Sequence, residues 1–178
     1  MAVAQASSKV IGLRAGGHAK VLIEIVQAMG TTEITGLLDA DPELWKSKQL
    51  GIIVLGSDEL LPKLFVDGIR TVFVGVGRTD ESKLRRHLFA KAQHLGFVVI
   101  PCIHPGAVIS PSATFGEGPN VMAGAVVNSA ARTGANVRQC THIGRNSVVG
   151  AGAAVVSDVP DDTIVAGIPA RLLRKVKA

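Results

Sequence analysis

The chain has no tyrosine, and aromatic residues make up only 3% of its 178 positions. A single-strand nucleic-acid binder needs aromatic faces on which bases stack, so that class is set aside despite a net charge of +5. The mild positive excess suits a small anionic partner such as a nucleotide or coenzyme. Cysteine is scarce as well. Cys102 and Cys140 form no CxxC and are too few for a disulfide framework, so both are expected to be reduced thiols in a cytoplasmic protein. No run of about eighteen apolar residues is present to span a bilayer. The opening MAVAQASSKV lacks a cationic start and a long apolar core, and no signal peptide is expected. His87 and His94 stand seven apart beside Arg85, Arg86 and Lys91. No third ligand accompanies them, so the reading is a solvated helix face and no metal.

What the chain has in quantity is glycine, twenty residues, and a beat of six. Ile103, Ile109, Phe115, Val121, Val127 and Thr133 fall six apart, and the mostly small Ala107, Ala113, Pro119, Ala125 and Ala131 follow four places behind. Neither a helix nor a plain strand has this period. Hexapeptides carrying one branched apolar residue, one small residue and turn formers mark a parallel β-helix. Three make a coil, and stacked coils bury a ladder of like side chains that one coil alone leaves exposed. The beat slips by four residues around Val137, returning at Ile143, Val149 and Val155 with Ser147, Ala153 and Val159 as the second series. Such a slip means extra chain ejected from the coil or a piece of repeat that is missing. About three coils span Ile103 to Val159.

Before the repeat, strands alternate with helices. Strands are expected at Lys9–Leu13, Glu33–Leu38, Arg70–Val76 and Phe97–Ile100, and Gly51–Leu55 is a short apolar stretch. Helices are expected over His18–Met29, ending near Gly30, over Asp58–Phe65 capped by Ser57 and shortened or kinked at Pro62, and over Thr79–Leu95. This order implies a parallel sheet with helices packed on it. Two domains follow, 1–100 and 101–178, with the boundary near Pro101.

The loop Gly12-Leu13-Arg14-Ala15-Gly16-Gly17-His18 joins a strand to a helix. Glycines there admit close backbone approach, and the N–H groups at the helix start favour an anion such as phosphate. The alternative is a tight turn without a ligand. His18 either touches a ligand phosphate or caps its helix. Asp39 closes the second strand, where an acid meets a ribose hydroxyl in dinucleotide folds. Gly75, Gly77 and Arg78 end a strand on the same edge, as a ligand loop or a plain turn. His104, before Pro105, reads as structural. His142 lies beside the slip, as a general base or as a surface residue on a turn. Arg171, Arg174, Lys175 and Lys177 meet a coenzyme phosphate or form a solvated tail.

These residues carry a resemblance. Val10-Ile11-Gly12 with Ala15-Gly16-Gly17-His18-Ala19-Lys20-Val21, then Val54-Leu55-Gly56-Ser57, Ile103-His104-Pro105 to Pro111-Ser112-Ala113, and Val149-Gly150-Ala151-Gly152-Ala153 through Gly167-Ile168-Pro169-Ala170-Arg171 resemble a family of bacterial sugar acetyltransferases. These are of the sialic-acid O-acetyltransferase and bacillosamine or perosamine N-acetyltransferase type. The resemblance implies a small Rossmann-like nucleotide-sugar-binding domain followed by a left-handed parallel β-helix. It implies a homotrimer with acetyl-CoA as co-substrate in the groove between neighbouring helices. Gly16, Gly17, His18 and Asp39, helped by Gly75, Gly77 and Arg78, would hold the nucleotide-sugar; Gly150, Gly152 and Ala153 would line the coenzyme groove with backbone amides. The sequence departs from the family twice. Leu13 and Arg14 are inserted between Gly12 and Ala15. The catalytic coil, an Asn-Thr pair and then a histidine flanked by acids, is absent after Asn136-Val137, where Arg138-Gln139-Cys140 follows directly.

The expected activity is acetyl transfer to an amine or hydroxyl of a nucleotide-linked sugar in surface-glycan synthesis, with His142 as the best remaining base. The alternative is a nucleotide-sugar-binding homologue left inert by loss of the coil. A structural trimer with neither property is the third reading.

Overall fold

The computed structural model describes residues 8–77, 82–127 and 142–175. The expectations placed on Arg78, Thr133, Val137, Cys140 and Lys177 lie outside these residues. The first unit contains β1 (Ser8–Leu13), α1 (Gly17–Met29), β2 (Thr32–Leu38), β3 (Lys48–Gln49), β4 (Ile52–Gly56), α2 (Leu61–Val66), β5 (Thr71–Val74), α3 (Ser82–His94) and β6 (Val98–Val99). Its sheet runs β3-β4-β2-β1-β5-β6, with every neighbouring pair parallel except β3 with β4. The apolar stripe of α1, Leu22, Ile23, Ile25 and Val26, packs with Val10, Leu37, Val54 and Phe73. Leu61 of α2 and Leu88, Phe89 and Ala92 of α3 join Ile11, Leu13, Leu38, Val72 and Val74 in a second cluster. Each such valine, leucine, isoleucine or phenylalanine contributes about 1.5–3 kcal/mol by leaving water.

The punctuation acts as residue chemistry dictates. Gly30 closes α1 in the left-handed region at φ 67°. Ser57 Oγ accepts from Glu59 N, but the helix it begins is a 3₁₀ turn at Asp58–Leu60 that passes into α2. Pro62 falls in the first turn of α2, where its missing N–H deprives no carbonyl of a partner. The short helix Pro42–Leu44 and the edge strand β3 were not expected. Asp41 starts that helix by accepting from Glu43 N.

The second unit starts at β7 (Cys102–Ile103) and continues through β8 (Val108–Ile109), β9 (Thr114–Phe115), β10 (Asn120–Val121), β11 (Val126–Val127), β12 (His142–Ile143), β13 (Val148–Val149), β14 (Ala154–Val155), β15 (Thr163–Ala166) and β16 (Arg171–Lys175). The two-residue strands β7 to β14 and the longer β15 stack in parallel into three sheets, β15-β13-β10-β7, β14-β11-β8 and β12-β9, and β16 adds antiparallel to β15. Val121, Val127, Ile143, Val149 and Val155 are buried in the shaft with Ala125 and Ala153, as the six-residue beat demands. Ile103, Ile109 and Phe115, in the first coil, are only half-buried because no further strand of the shaft lies beyond them among the described residues.

The register locates the slip. Asn120 pairs with Cys102, eighteen positions back, and Val126 with Val108. Val148 pairs with Asn120, twenty-eight positions back, and His142 with Thr114 likewise. The spacing from Asn120 to Val148 is therefore ten residues more than that from Cys102 to Asn120, one hexapeptide and four. That remainder of four is the phase slip of the sequence, and here it reflects added chain rather than lost chain relative to the preceding coil.

The two units share core. Cys102, with no exposed surface, and the partly buried Met122 join the α1 cluster, and a Cβ on Gly118 would come within 2.7 Å of Val99 and 2.9 Å of Phe89.

Candidate functional site

In the first sheet β1 lies between β2 and β5, so the crossovers diverge at the carboxyl end of β1, the switch point at which open α/β sheets form a crevice. A cavity of about 350 Å³ opens there, lined by Arg14, Gly16, Gly17, His18, Asp39, Gly75, Gly77 and Leu84. The structure thus brings together six of the seven residues assigned to nucleotide-sugar binding, Arg78 falling outside the described residues.

Gly16 and Gly17 are exposed at the start of α1, and a Cβ on either would meet nothing within 4 Å. Gly16 has φ −78° in the extended region, and no side chain caps the helix. Neither strain nor internal packing therefore explains glycine here. What the pair does is leave open space before a helix N-terminus whose first N–H groups lack intrahelical partners. Gly75 and Gly77 differ. A Cβ on Gly75 would come 2.7 Å from Ala19 Cβ, and one on Gly77 would come 2.3 Å from His18 Cγ. Their smallness seats α1 and its histidine against the strand end.

Arg14, which in sequence read as an insertion, stands on the cavity wall at φ 87° with its N–H on Leu38 O at 2.7 Å. Its Nη1 is buried and has no hydrogen-bond partner among the described residues; Asp58 Oδ1 lies 3.7 Å away. Asp58 is itself gripped by Lys91 Nζ at 2.6 Å. Burial alone would raise the Asp58 carboxyl, but the Lys91 ammonium, helped by Arg14, holds it below the usual carboxylate range. Asp39, 8% exposed, accepts from Ala15 N at 2.8 Å and Asp41 N at 3.0 Å. It ties the glycine loop to the end of β2 with both carboxylate oxygens and lines the cavity.

On the helix face read as solvated, His87 and His94 are exposed as expected, and Arg85 is the correction. Arg85 is 2% exposed, and its guanidinium donates to Val74 O at 2.8 Å, Val76 O at 3.1 Å and Gly118 O at 3.2 Å. Carbonyls freed where β5 ends need donors, and α3 supplies five on one side chain. His18 Nε2 lies 3.2 Å from the side-chain amide of Asn120, a residue of β10 with 1% exposure. Burial, and then the charge of Arg85, push the His18 imidazole down to about 4. Burial pushes the Cys102 thiol up to about 12.

His142 is exposed and is not among the cavity residues. Its Nδ1 meets Thr114 Oγ1 at 2.9 Å, and its backbone N–H donates to Asp158 Oδ1 at 2.9 Å, so the nearby acid holds the strand and not the ring. Gly150 N donates to Val165 O, Gly152 N to Ala123 O and Ala153 N to Gly150 O. All three amides expected to face a coenzyme are thus committed within the chain, and Ala153 is wholly buried in the shaft.

The PglD N-terminal domain family matches residues 9–92. Over 96% of this chain and 99% of the other, the protein is 33% identical to a mutant perosamine N-acetyltransferase from Caulobacter crescentus solved with CoA and GDP-perosamine, at a TM-score of 0.63. The chain belongs to the nucleotide-sugar acetyltransferase family. A second family structure, the acetyltransferase domain of PglB from Neisseria gonorrhoeae FA1090 with acetyl coenzyme A, is 31% identical over 94% of this chain and 100% of that one, with a TM-score of 0.59. A shorter match, 37% identity over 43 residues, is to the putative acetyltransferase YJL218W of Saccharomyces cerevisiae strain ATCC 204508 / S288c; it spans 24% of this chain and 22% of that protein. Within this member of the acetyltransferase family, sequence reasoning missed Arg14, Arg85 and Asn120. Only Arg14 left a signal, a cation inside a glycine loop.

Proposed function

We propose that this protein transfers an acetyl group from acetyl-CoA to an amine or hydroxyl of a nucleotide-linked sugar in surface-glycan synthesis, and that the cavity at the end of β1 receives the nucleotide. The observation carrying this reading is the empty space at Gly16 and Gly17. Open volume and unpaired helix N–H groups adjoin there, and Arg14, whose Nη1 has no hydrogen-bond partner among the described residues, lines the same cavity; together they suit a diphosphate. Asp39 would take a ribose hydroxyl, with the turn of Gly75, Gly77 and Arg78 helping to hold the ligand.

The acceptor amine or hydroxyl attacks the thioester carbonyl carbon, and the tetrahedral intermediate expels the coenzyme thiolate. His142 is the base that would remove the acceptor's proton. Gly150, Gly152 and Ala153 would border the coenzyme through their small size, since their amides are already bonded. We take the working form to be a cytoplasmic homotrimer of two-domain chains, 1–100 and 101–178.

A second reading has one observation in its favour: among the described residues no acid orients the His142 ring. In that reading the protein binds nucleotide-sugars without transferring acetyl groups. Calorimetry with GDP-perosamine and UDP-linked amino sugars, followed by thiol release from acetyl-CoA, separates the two. Steady thiol release that falls about 10²-fold or more in His142→Ala supports the enzyme and its base. Binding without thiol release supports the second reading.

A further inference from the structure

His18 is set by groups from three parts of the fold, and their chemistry fixes which of its nitrogens carries the proton. Arg85 has only donors and Pro119 offers only a carbonyl. The Asn120 amide therefore turns its oxygen to Arg85 Nη1 at 3.2 Å and its nitrogen to Pro119 O at 3.3 Å. The same oxygen lies 3.2 Å from His18 Nε2, so Nε2 must donate. A neutral imidazole with Nε2–H has a bare Nδ1. That atom lies on the Gly77 side, where a Cβ would come within 2.5 Å of it, and both residues line the cavity. No donor among the described residues reaches it.

We propose that His18 is a neutral, acceptor-only contact for an O–H or N–H of the ligand, locked in that state by Asn120 of the β-helix and Arg85 of α3. The proposal rests on the nucleotide-sugar reading of the cavity and reverses the expected role of His18. A bare nitrogen repels phosphate oxygen, so the anionic part of the ligand belongs on the Arg14 side. His18 instead selects a hydroxyl or amine donor, of ribose, sugar or base. Asn120 and Arg85 are positioning residues for it.

The charges facing the ring agree. Arg85 opposes its protonation; Asp39 is bound to Ala15 N and Asp41 N, and Cys102, beside Arg85, stays a neutral thiol. Asn120→Asp is isosteric and replaces the amide by a carboxylate, which would pair with Arg85 and draw a second proton onto the ring.

The test begins with the ligand-free protein. Histidine ¹⁵N spectra should show His18 as the Nε2–H tautomer from about pH 8 to about pH 5.5, and in Asn120→Asp the ring should titrate near or above its ordinary value. A Nδ1–H tautomer, or wild-type titration near 6.5, overturns the proposal whatever the cavity binds. Affinity for GDP-perosamine and UDP-linked amino sugars is then measured across the same range. Wild-type affinity should stay flat, the Nδ1 resonance should move on binding, and Asn120→Asp should lose about tenfold or more in acid. Binding that leaves Nδ1 unmoved overturns the ligand contact. If no nucleotide-sugar binds, the nucleotide reading and the ligand half of the proposal fall together, while the tautomer result stands by itself.

Discussion

Replacing Gly17 by alanine should separate stability from binding. Gly17 opens α1 outside the left-handed region, and the added methyl would meet nothing within 4 Å. The folded state gains no clash, while the unfolded chain loses freedom, a stabilisation of about 0.4–1 kcal/mol. For a chain of this length that raises Tm by about 1–4 °C. The methyl occupies the space before the helix N–H groups. A phosphate pushed off one charge-assisted hydrogen bond there loses about 1.5–3 kcal/mol, or about ten- to a hundredfold in Kd. Thermal melts and calorimetric titration with GDP-perosamine and UDP-linked amino sugars read both effects on one preparation. Gly75→Ala is the contrast. Its methyl would come 2.7 Å from Ala19 Cβ and 3.1 Å from backbone atoms, costing about 1–3 kcal/mol of stability. A nucleotide-sugar that binds Gly17→Ala as tightly as wild type would refute the assignment of this space to a phosphate.

Other outcomes follow from the same geometry. Arg14→Met should weaken nucleotide-sugar binding about tenfold or more with the melt little changed, read by calorimetry. Arg85→Met strands the carbonyls of Val74, Val76 and Gly118 and should cost about 3 kcal/mol or more in urea unfolding. Acid should destabilise the protein through His18. Its imidazole sits at about 4 when folded and at 6.5 when unfolded, so the unfolded state binds the proton first. This stability is complete above pH 6.5 and is lost as pH falls to about 4, up to about 3 kcal/mol. Urea midpoints compared at about pH 7 and pH 5 should show a larger loss for wild type than for His18→Gln, by about 2 kcal/mol. Equal losses would place His18 in solvent.

The helices, the parallel strands and the β-helix were legible because burial imposes periods that residue order must obey. Leu22, Ile23, Ile25 and Val26 mark one helix face, and Val121, Val127, Ile143, Val149 and Val155 mark the shaft. The glycine loop, His18 and Asp39 were legible as local strand-to-helix chemistry, and they do line one cavity. What escaped was long-range. Arg85 stands among Arg86, His87 and Lys91 and carries no mark of burial; only the strand end above it makes it structural. Asn120 precedes an inward valine like any turn residue, and nothing local says that it meets a histidine 102 positions earlier. The slip was legible as a remainder of four, but only strand pairings such as His142 with Thr114 and Val148 with Asn120 gave its sign.

The bond between Asn120 and His18 bears on how such proteins exchange parts. The family match ends at residue 92, as though the first unit were a transferable cassette. Yet the residue that fixes its histidine comes from the second unit, and Cys102 and Met122 fill its core. A chimera joined near residue 100 would keep every loop of the pocket and inherit a foreign side chain at the position of Asn120. Substrate preference in such a recombinant should track the donor of both halves, so the heritable unit of specificity extends past the junction into the second coil of the repeat.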